Sequence, residues 1–210
     1  MTDTDLIDLY KKESSDRFNE IDNESISKFT DIIFEAYLKE RTIFVAGNGG
    51  TAGYLQNFVV DFNMHPFVSD DKTKPSSIVR NKFKCVNLCS DQATLTGITN
   101  DLGYENVYLE QLKYQFEPKD VFIGMSGSGN SKNIVKAMEY CVYSNGKTVL
   151  LTRNSDNKCN EYADLSISLK GKSYFPGQLG SNNNNFHFED IISKLTHLAC
   201  GIIKQRIQNA

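Results

Sequence analysis

The chain opens on two stretches in which apolar residues recur at helical spacing. Leu6, Leu9, Tyr10 and Phe18 give a partial stripe, and Ile26, Phe29, Ile32, Ile33, Ala36 and Tyr37 a fuller one, so residues 1–40 read as an N-terminal helical pair. The pattern then shortens. Residues 41–46 form a β-branched run ending in Gly47-Asn-Gly-Gly50, after which Leu55, Phe58, Val59 and Phe62 resume the helical period. The same succession of strand and helix recurs at 85–88, followed by Leu95, Ile98 and Leu102. It recurs again at 120–125, where the turn is Ser126-Gly-Ser-Gly-Asn-Ser131 and the helix carries Ile134, Val135, Met138, Cys141 and Val142. Gly146 ends that helix, and strands at 148–152 and 165–169 flank a short helix near 157–162. The polar stretches 68–82 and 170–185, with an asparagine run at 182–185, read as loops before a long final helix built on Phe188, Ile191, Ile192, Leu195, Leu198, Ala199, Ile202 and Ile203.

Five strands alternating with helices require crossover connections, which run right-handed and put helices on both faces of a parallel sheet. The expected fold is α/β, a doubly wound, flavodoxin-like sheet of five parallel strands preceded by the helical pair. Residues 1–210 are read as one domain, with 1–40 as the helical pair and 41–210 as the core and final helix. Such folds bind ligands at the carboxyl ends of their strands, where both glycine turns fall.

Composition removes several classes of function. Of 210 residues, 40% are hydrophobic and 23% charged, a globular balance. With 23 Lys+Arg against 26 Asp+Glu the net charge is -3, without the basic excess of a nucleic-acid binder. No apolar run approaches the roughly 18 residues of a membrane span, and the polar, acidic opening is unlike a targeting peptide, so a cytoplasmic protein without a membrane partner is expected. Five scattered cysteines without a CxxC pair read as reduced thiols rather than a disulfide or zinc framework.

The chemistry should lie in the two glycine turns. Ser126, Ser128 and Ser131 offer hydroxyls, Gly127 and Gly129 let backbone approach a ligand, and the following helix presents free N–H groups with a partial positive charge. A phosphate monoester suits that arrangement. The spacing Gly47-x-Gly49-x-x-Ala52 also satisfies the loose dinucleotide fingerprint, but Asp70 and Asp71 fall in a polar loop instead of closing a second strand. Neither turn is followed by the Gly-Lys-Ser/Thr of an ATP-binding P-loop. A nicotinamide-dependent oxidoreductase is therefore the weakest reading.

A strand running into Gly47-Asn-Gly-Gly-Thr51, with Val121 to Ser131 further on, resembles the sugar isomerase, or SIS, domain. Ile98-Thr-Asn-Asp-Leu-Gly-Tyr104 resembles the G-N-D-(Y/F)-G segment of the phosphoheptose isomerases, and 121–131 resembles their V-x-I-G-x-S-x-S-G-N-S. The resemblance implies a SIS-type sheet in a cytoplasmic homotetramer, with the N-terminal helices in subunit packing. It also implies a phosphorylated sugar as substrate, sedoheptulose 7-phosphate being converted to D-glycero-D-manno-heptose 7-phosphate through an enediol.

Carried over position by position, the resemblance places substrate contacts at Asn48, Gly49, Thr51, Asp101, Ser126, Ser128 and Ser131. It places a carboxylate base at Asp61, where the family has glutamate, and an imidazole acid or proton shuttle at His197, in roles that could be exchanged. Zinc-binding members hold their metal at the positions of Asn57, Asp61, Glu189 and His197. Asn57 replaces a histidine and is a poor zinc ligand, so no cofactor is expected; if zinc did bind, Asp61, Glu189 and His197 would be its candidates. Glu189 replaces a glutamine, His65 an arginine, and His187-Phe-Glu-Asp190 an Arg-Ile-Gln-Glu segment. These departures keep two alternatives open, an isomerase of another phosphosugar and a non-catalytic module that binds a sugar phosphate or a protein partner.

Overall fold

The computed structural model, which describes residues 1–74, 81–178 and 183–209, begins with the expected helical pair, α1 (Asp3–Asn19) and α2 (Asn23–Leu38). Both are started by side chains. Thr2 accepts from the Asp5 N–H while Asp5 accepts from the Thr2 N–H, and Asp22 accepts from the Ser25 N–H. Then follow β1 (Thr42–Gly47), α3 (Gly50–Met64), β2 (Lys84–Asn87), α4 (Gln92–Leu102), α5 (Val107–Gln115) and β3 (Val121–Met125). The chain closes with α6 (Lys132–Tyr143), β4 (Lys147–Thr152), β5 (Leu165–Ser168) and α7 (Asn185–Gln208).

The strands form one parallel sheet in the order β2-β1-β3-β4-β5. Parity along the strands assigns the two faces. Ile43, Val45, Val121, Ile123, Met125, Val149 and Leu151 pack with α2, α3 and α7, whereas Phe44, Ala46, Phe122 and Leu150 pack with α5 and α6. Burial on both faces explains why these strands read as nearly unbroken apolar runs. The doubly wound reading holds. Connections from β1 lead outward to β2 on one side, while β3 lies on the other, so a crevice opens beyond the paired strand ends Gly47 and Met125.

Two features differ from expectation. No element is expected between Leu102 and Asp120, yet α5 lies there and buries Val107, Tyr108, Gln111 and Leu112. Two of those four positions are polar to the eye, which hides the stripe: Gln111 is buried because its Nε2 donates to the carbonyls of Leu88 and Val107. The asparagine run is also more than a loop. Asn184 is wholly buried and donates to the carbonyls of Leu169 and Gly171, fastening the chain just before α7. Asn182 and Pro75 lie outside the described residues. Among the described residues no helix is long and apolar enough to cross a membrane.

Candidate active site

Two helices that begin at the sheet's switch point lack the side-chain caps seen on α1 and α2. Gly49, which precedes α3, has no side chain and sits at φ 58°, ψ -127°, a conformation open essentially to glycine. Ser131, which precedes α6, makes no side-chain bond to its own helix. Their first-turn N–H groups and helix dipoles are thus aimed at a common space. That space is a cavity of about 140 Å³ lined by Asn48, Thr51, Met125, Ser126, Gly127, Ser131, Arg153, Asn185, Phe188 and Glu189. A wider depression of about 190 Å³ at the amino ends of the strands is lined by aliphatic and lysine side chains such as Ile32, Ala36, Lys39, Lys119 and Lys147, without hydroxyl donors.

Inside the cavity, Ser126 Oγ lies 3.1 Å from Ser131 Oγ and accepts from the Gly129 N–H. Thr51 Oγ1 accepts from the Asn48 N–H at 2.9 Å and donates to the Asn48 carbonyl at 2.7 Å, closing the first turn. Asn48 is held from its far side. Its amide exchanges bonds with Asn133 at 2.8 and 3.1 Å, and its Oδ1 accepts from the hydroxyls of Tyr104 at 2.7 Å and Tyr108 at 3.2 Å. Tyr108 also donates to the Gly47 carbonyl, and burial raises its phenol far above the ordinary tyrosine value.

Of the expected contacts, Asn48, Thr51, Ser126 and Ser131 line the cavity, and Gly49 forms the turn beside it. Ser128 and Asp101 do not. Ser128 is exposed and accepts from the Asn130 N–H, and Asp101 is exposed on the last turn of α4, accepting from Asn100. Arg153, Asn185 and Phe188 line the cavity without having been expected. Arg153 directly follows β4, so the rule that ligands gather at strand carboxyl ends already pointed to it.

Asp61 and His197 meet elsewhere. They face each other across α3 and α7, with Asp61 Oδ2 3.3 Å from His197 Nε2, while Oδ1 is 3.6 Å from His65 Nε2. Asp61 is 8% exposed although its neighbours on the expected polar ridge, Asn57 and His65, are open to solvent. Its Oδ2 is sealed from solvent without an aligned hydrogen bond among the described residues. The His197 side chain is 63% exposed and so is open to solvent.

Glu189 stands apart from that pair. It is at the cavity, its carboxylate lying where a Cβ on Gly50 would be, and the two helical turns to His197 span about 12 Å. Burial raises its carboxyl above the ordinary value, which the Arg153 charge partly offsets. Asp61, Glu189 and His197 therefore do not converge as zinc ligands within one chain, and no group of three or more His, Cys, Asp or Glu suited to a metal occurs among the described residues.

His187, left without a role by sequence, is wholly buried. Its Nε2 lies 3.0 Å from Glu13 Oε2, and the Tyr10 ring packs tilted against its ring at 4.5 Å between centroids. Glu13 also accepts from the Ser173 hydroxyl and the Tyr174 N–H. These contacts fasten α1 and the segment before α7 to the first turn of α7, which carries Glu189.

Residues 10–152 match the SIS domain. The chain is 36% identical to phosphoheptose isomerase 2 of Campylobacter jejuni over 137 residues, covering 65% of this chain and 63% of that one. It is 30% identical to phosphoheptose isomerase of Helicobacter pylori over 159 residues, covering 76% and 78%. The fold superposes on the phosphoheptose isomerase of Francisella tularensis with a TM-score of 0.74 at 22% identity, covering 98% of this chain and all of the other. That of Neisseria gonorrhoeae gives 0.72, also at 22% identity, over 97% of this chain and all of the other. With its match running through the first strand and both glycine turns, the chain belongs to the SIS domain family, and its relatives there are phosphoheptose isomerases.

Proposed function

We propose that the protein is an aldose–ketose isomerase of a phosphorylated sugar, with sedoheptulose 7-phosphate as substrate and D-glycero-D-manno-heptose 7-phosphate as product. The observation that carries the reading is the buried Asp61 carboxylate set 3.3 Å from the exposed His197 imidazole, in a chain that also has a hydroxyl-lined anion cavity. In this scheme Asp61 takes a proton from the carbon beside the carbonyl and returns it to the former carbonyl carbon. His197 moves a proton between the two oxygens through the enediol, so the reaction needs no net donor or acceptor. Thr51, Ser126, Ser131 and the first-turn N–H groups of α3 and α6 hold the phosphate.

One chain cannot easily do both. Gly50 and Asp61 are separated by about 16 Å of helix rise, farther than a seven-carbon sugar phosphate comfortably reaches. The reading therefore assigns the phosphate cavity of one copy and the Asp61–His197 pair of another to a shared site. Exposed apolar residues beside the pair, Val60 and Met64 on α3 and Leu198 on α7, are surfaces a second copy would cover. A homotetramer in the cytoplasm is the corresponding assembly and setting.

Proton NMR of the protein with sedoheptulose 7-phosphate in deuterated buffer tests the proposal. Aldose formation with deuterium entering next to the carbonyl, absent in Asp61→Asn, is expected. Silence at high protein concentration, with the ligand still raising the melting temperature, would overturn catalysis in favour of a non-catalytic sugar-phosphate module.

A further inference from the structure

Around the phosphate cavity the hydroxyl and N–H donors are neutral, and the charged residues lining it are Arg153 and Glu189. Arg153 is built into the second glycine turn. Its N–H donates to the Gly127 carbonyl at 3.0 Å, and its guanidinium lies over Gly127 so closely that a Cβ there would be 2.7 Å from Nε and 3.0 Å from Nη2. Glycine at 127 thus makes room for the guanidinium. Across the cavity, the Glu189 carboxylate rests on Gly50, at the amino end of α3, the place of greatest positive potential on that helix.

A carboxylate on a helix N-terminus, in a cavity shared with an arginine, occupies the electrostatic position that a phosphate would take. We infer that Arg153 is the cationic phosphate ligand of this cavity and that the Glu189 carboxylate is an internal anion competing with the substrate's phosphate for it. This deepens the phosphate-cavity reading given above and rests on it. Burial weakens the guanidinium's hold on its proton while the Glu189 charge across the cavity supports it. A phosphate entering between Ser126, Ser131 and Arg153 replaces one anionic partner by another, and repulsion from Glu189 sets how tightly it is held.

Calorimetric titration with inorganic phosphate and with sedoheptulose 7-phosphate, at fixed pH and salt, tests this on the wild type and three variants. Arg153→Met should weaken both ligands by about tenfold or more, the loss expected for a charge-assisted bond. Arg153→Lys should recover part of that loss. Glu189→Gln should tighten both several-fold, on the order expected from removing one nearby like charge. Unchanged affinity in a folded Arg153→Met, or weaker phosphate binding in Glu189→Gln, overturns the inference. Should Arg153→Met fail to fold, the Lys and Gln variants still decide it. Phosphate binding with these shifts but no isomerisation would remove only the proposed reaction, and no phosphate binding in wild type and Glu189→Gln alike would remove both.

Discussion

The Asp61 carboxylate meets the His197 imidazole at 3.3 Å although the two residues come from helices far apart in the sequence, α3 and α7. The α3–α7 seam that joins them is apolar below: Phe58, Phe62, Leu195 and Ala199 are almost or wholly inaccessible. A carboxylate sealed on one side by that core and facing an exposed imidazole on the other is held in position.

Asp61→Asn preserves shape and removes only the proposed proton acceptor. It should lower isomerisation by roughly 10²–10⁴-fold, the usual contribution of a positioned base. Phosphate affinity should stay near the wild-type value. The deuterium-exchange assay and calorimetry check the two halves, and a variant retaining full exchange would remove Asp61 from the chemistry.

Gly50→Ala tests the crowding at the cavity. A methyl there would overlap the Glu189 carboxylate, which must then move off the α3 N-terminus. Because that carboxylate competes with phosphate for the helix N-terminus, phosphate binding should tighten, and adding Glu189→Ala to Gly50→Ala should tighten it little further. Equal binding losses in the single and double variants would show that the glycine matters for backbone conformation instead.

How far the sequence carries the site depends on whether its signal is local. The strand-turn-helix pattern and the run of Ser and Gly after β3 are local, so the fold, the cavity and Ser126 and Ser131 are legible from residue order alone, whereas Thr51 is singled out by the resemblance to SIS domains. Asp61 and His197 are not: on periodicity they belong to solvated ridges, and only the resemblance to SIS domains pairs them. Asn48 is legible as a turn residue, yet its four-membered hydrogen-bond network depends on Tyr104, Tyr108 and Asn133, which reach it from separate elements. His187 is hidden for the same reason. Its partner Glu13 is on α1, and nothing near either residue marks them as a buried pair.

That pair gives a stability prediction. Burial works to raise the Glu13 carboxyl, but the bonds from Ser173, the Tyr174 N–H and His187 outweigh it and leave the group below the ordinary value of 4.5. A carboxyl whose folded pKa is depressed adds stability above its unfolded pKa and loses it as pH falls through the folded one. Glu13→Gln should therefore cost about 1–3 kcal/mol near neutral pH, lowering the melting temperature by several degrees. The difference from wild type should shrink as pH falls below about 4.5, where the unfolded chain's carboxyl takes up its proton, and vanish once pH has passed through the folded group's lower value. Thermal melts at two pH values check this, and a constant difference would mean that Glu13 acts through packing alone.

The last prediction concerns whether the two parts of the site belong to one chain. Thr51→Val removes a cavity hydroxyl, and Asp61→Asn removes the base about 16 Å along the same helix. Each alone should be nearly inactive. In co-expressed mixed oligomers, a site that takes its cavity from one copy and its base from another will sometimes draw the intact half of each. With equal amounts and random assembly, about a quarter of two-copy sites are fully wild type, so activity should recover toward that fraction. If both halves served the same chain, every site would retain one defect and no recovery could occur. Activity of the mixture against the separately purified variants, with assembly followed by light scattering, separates the two arrangements. An inactive mixture of confirmed hetero-oligomers would place the reaction within a single chain and require the substrate to lie along α3.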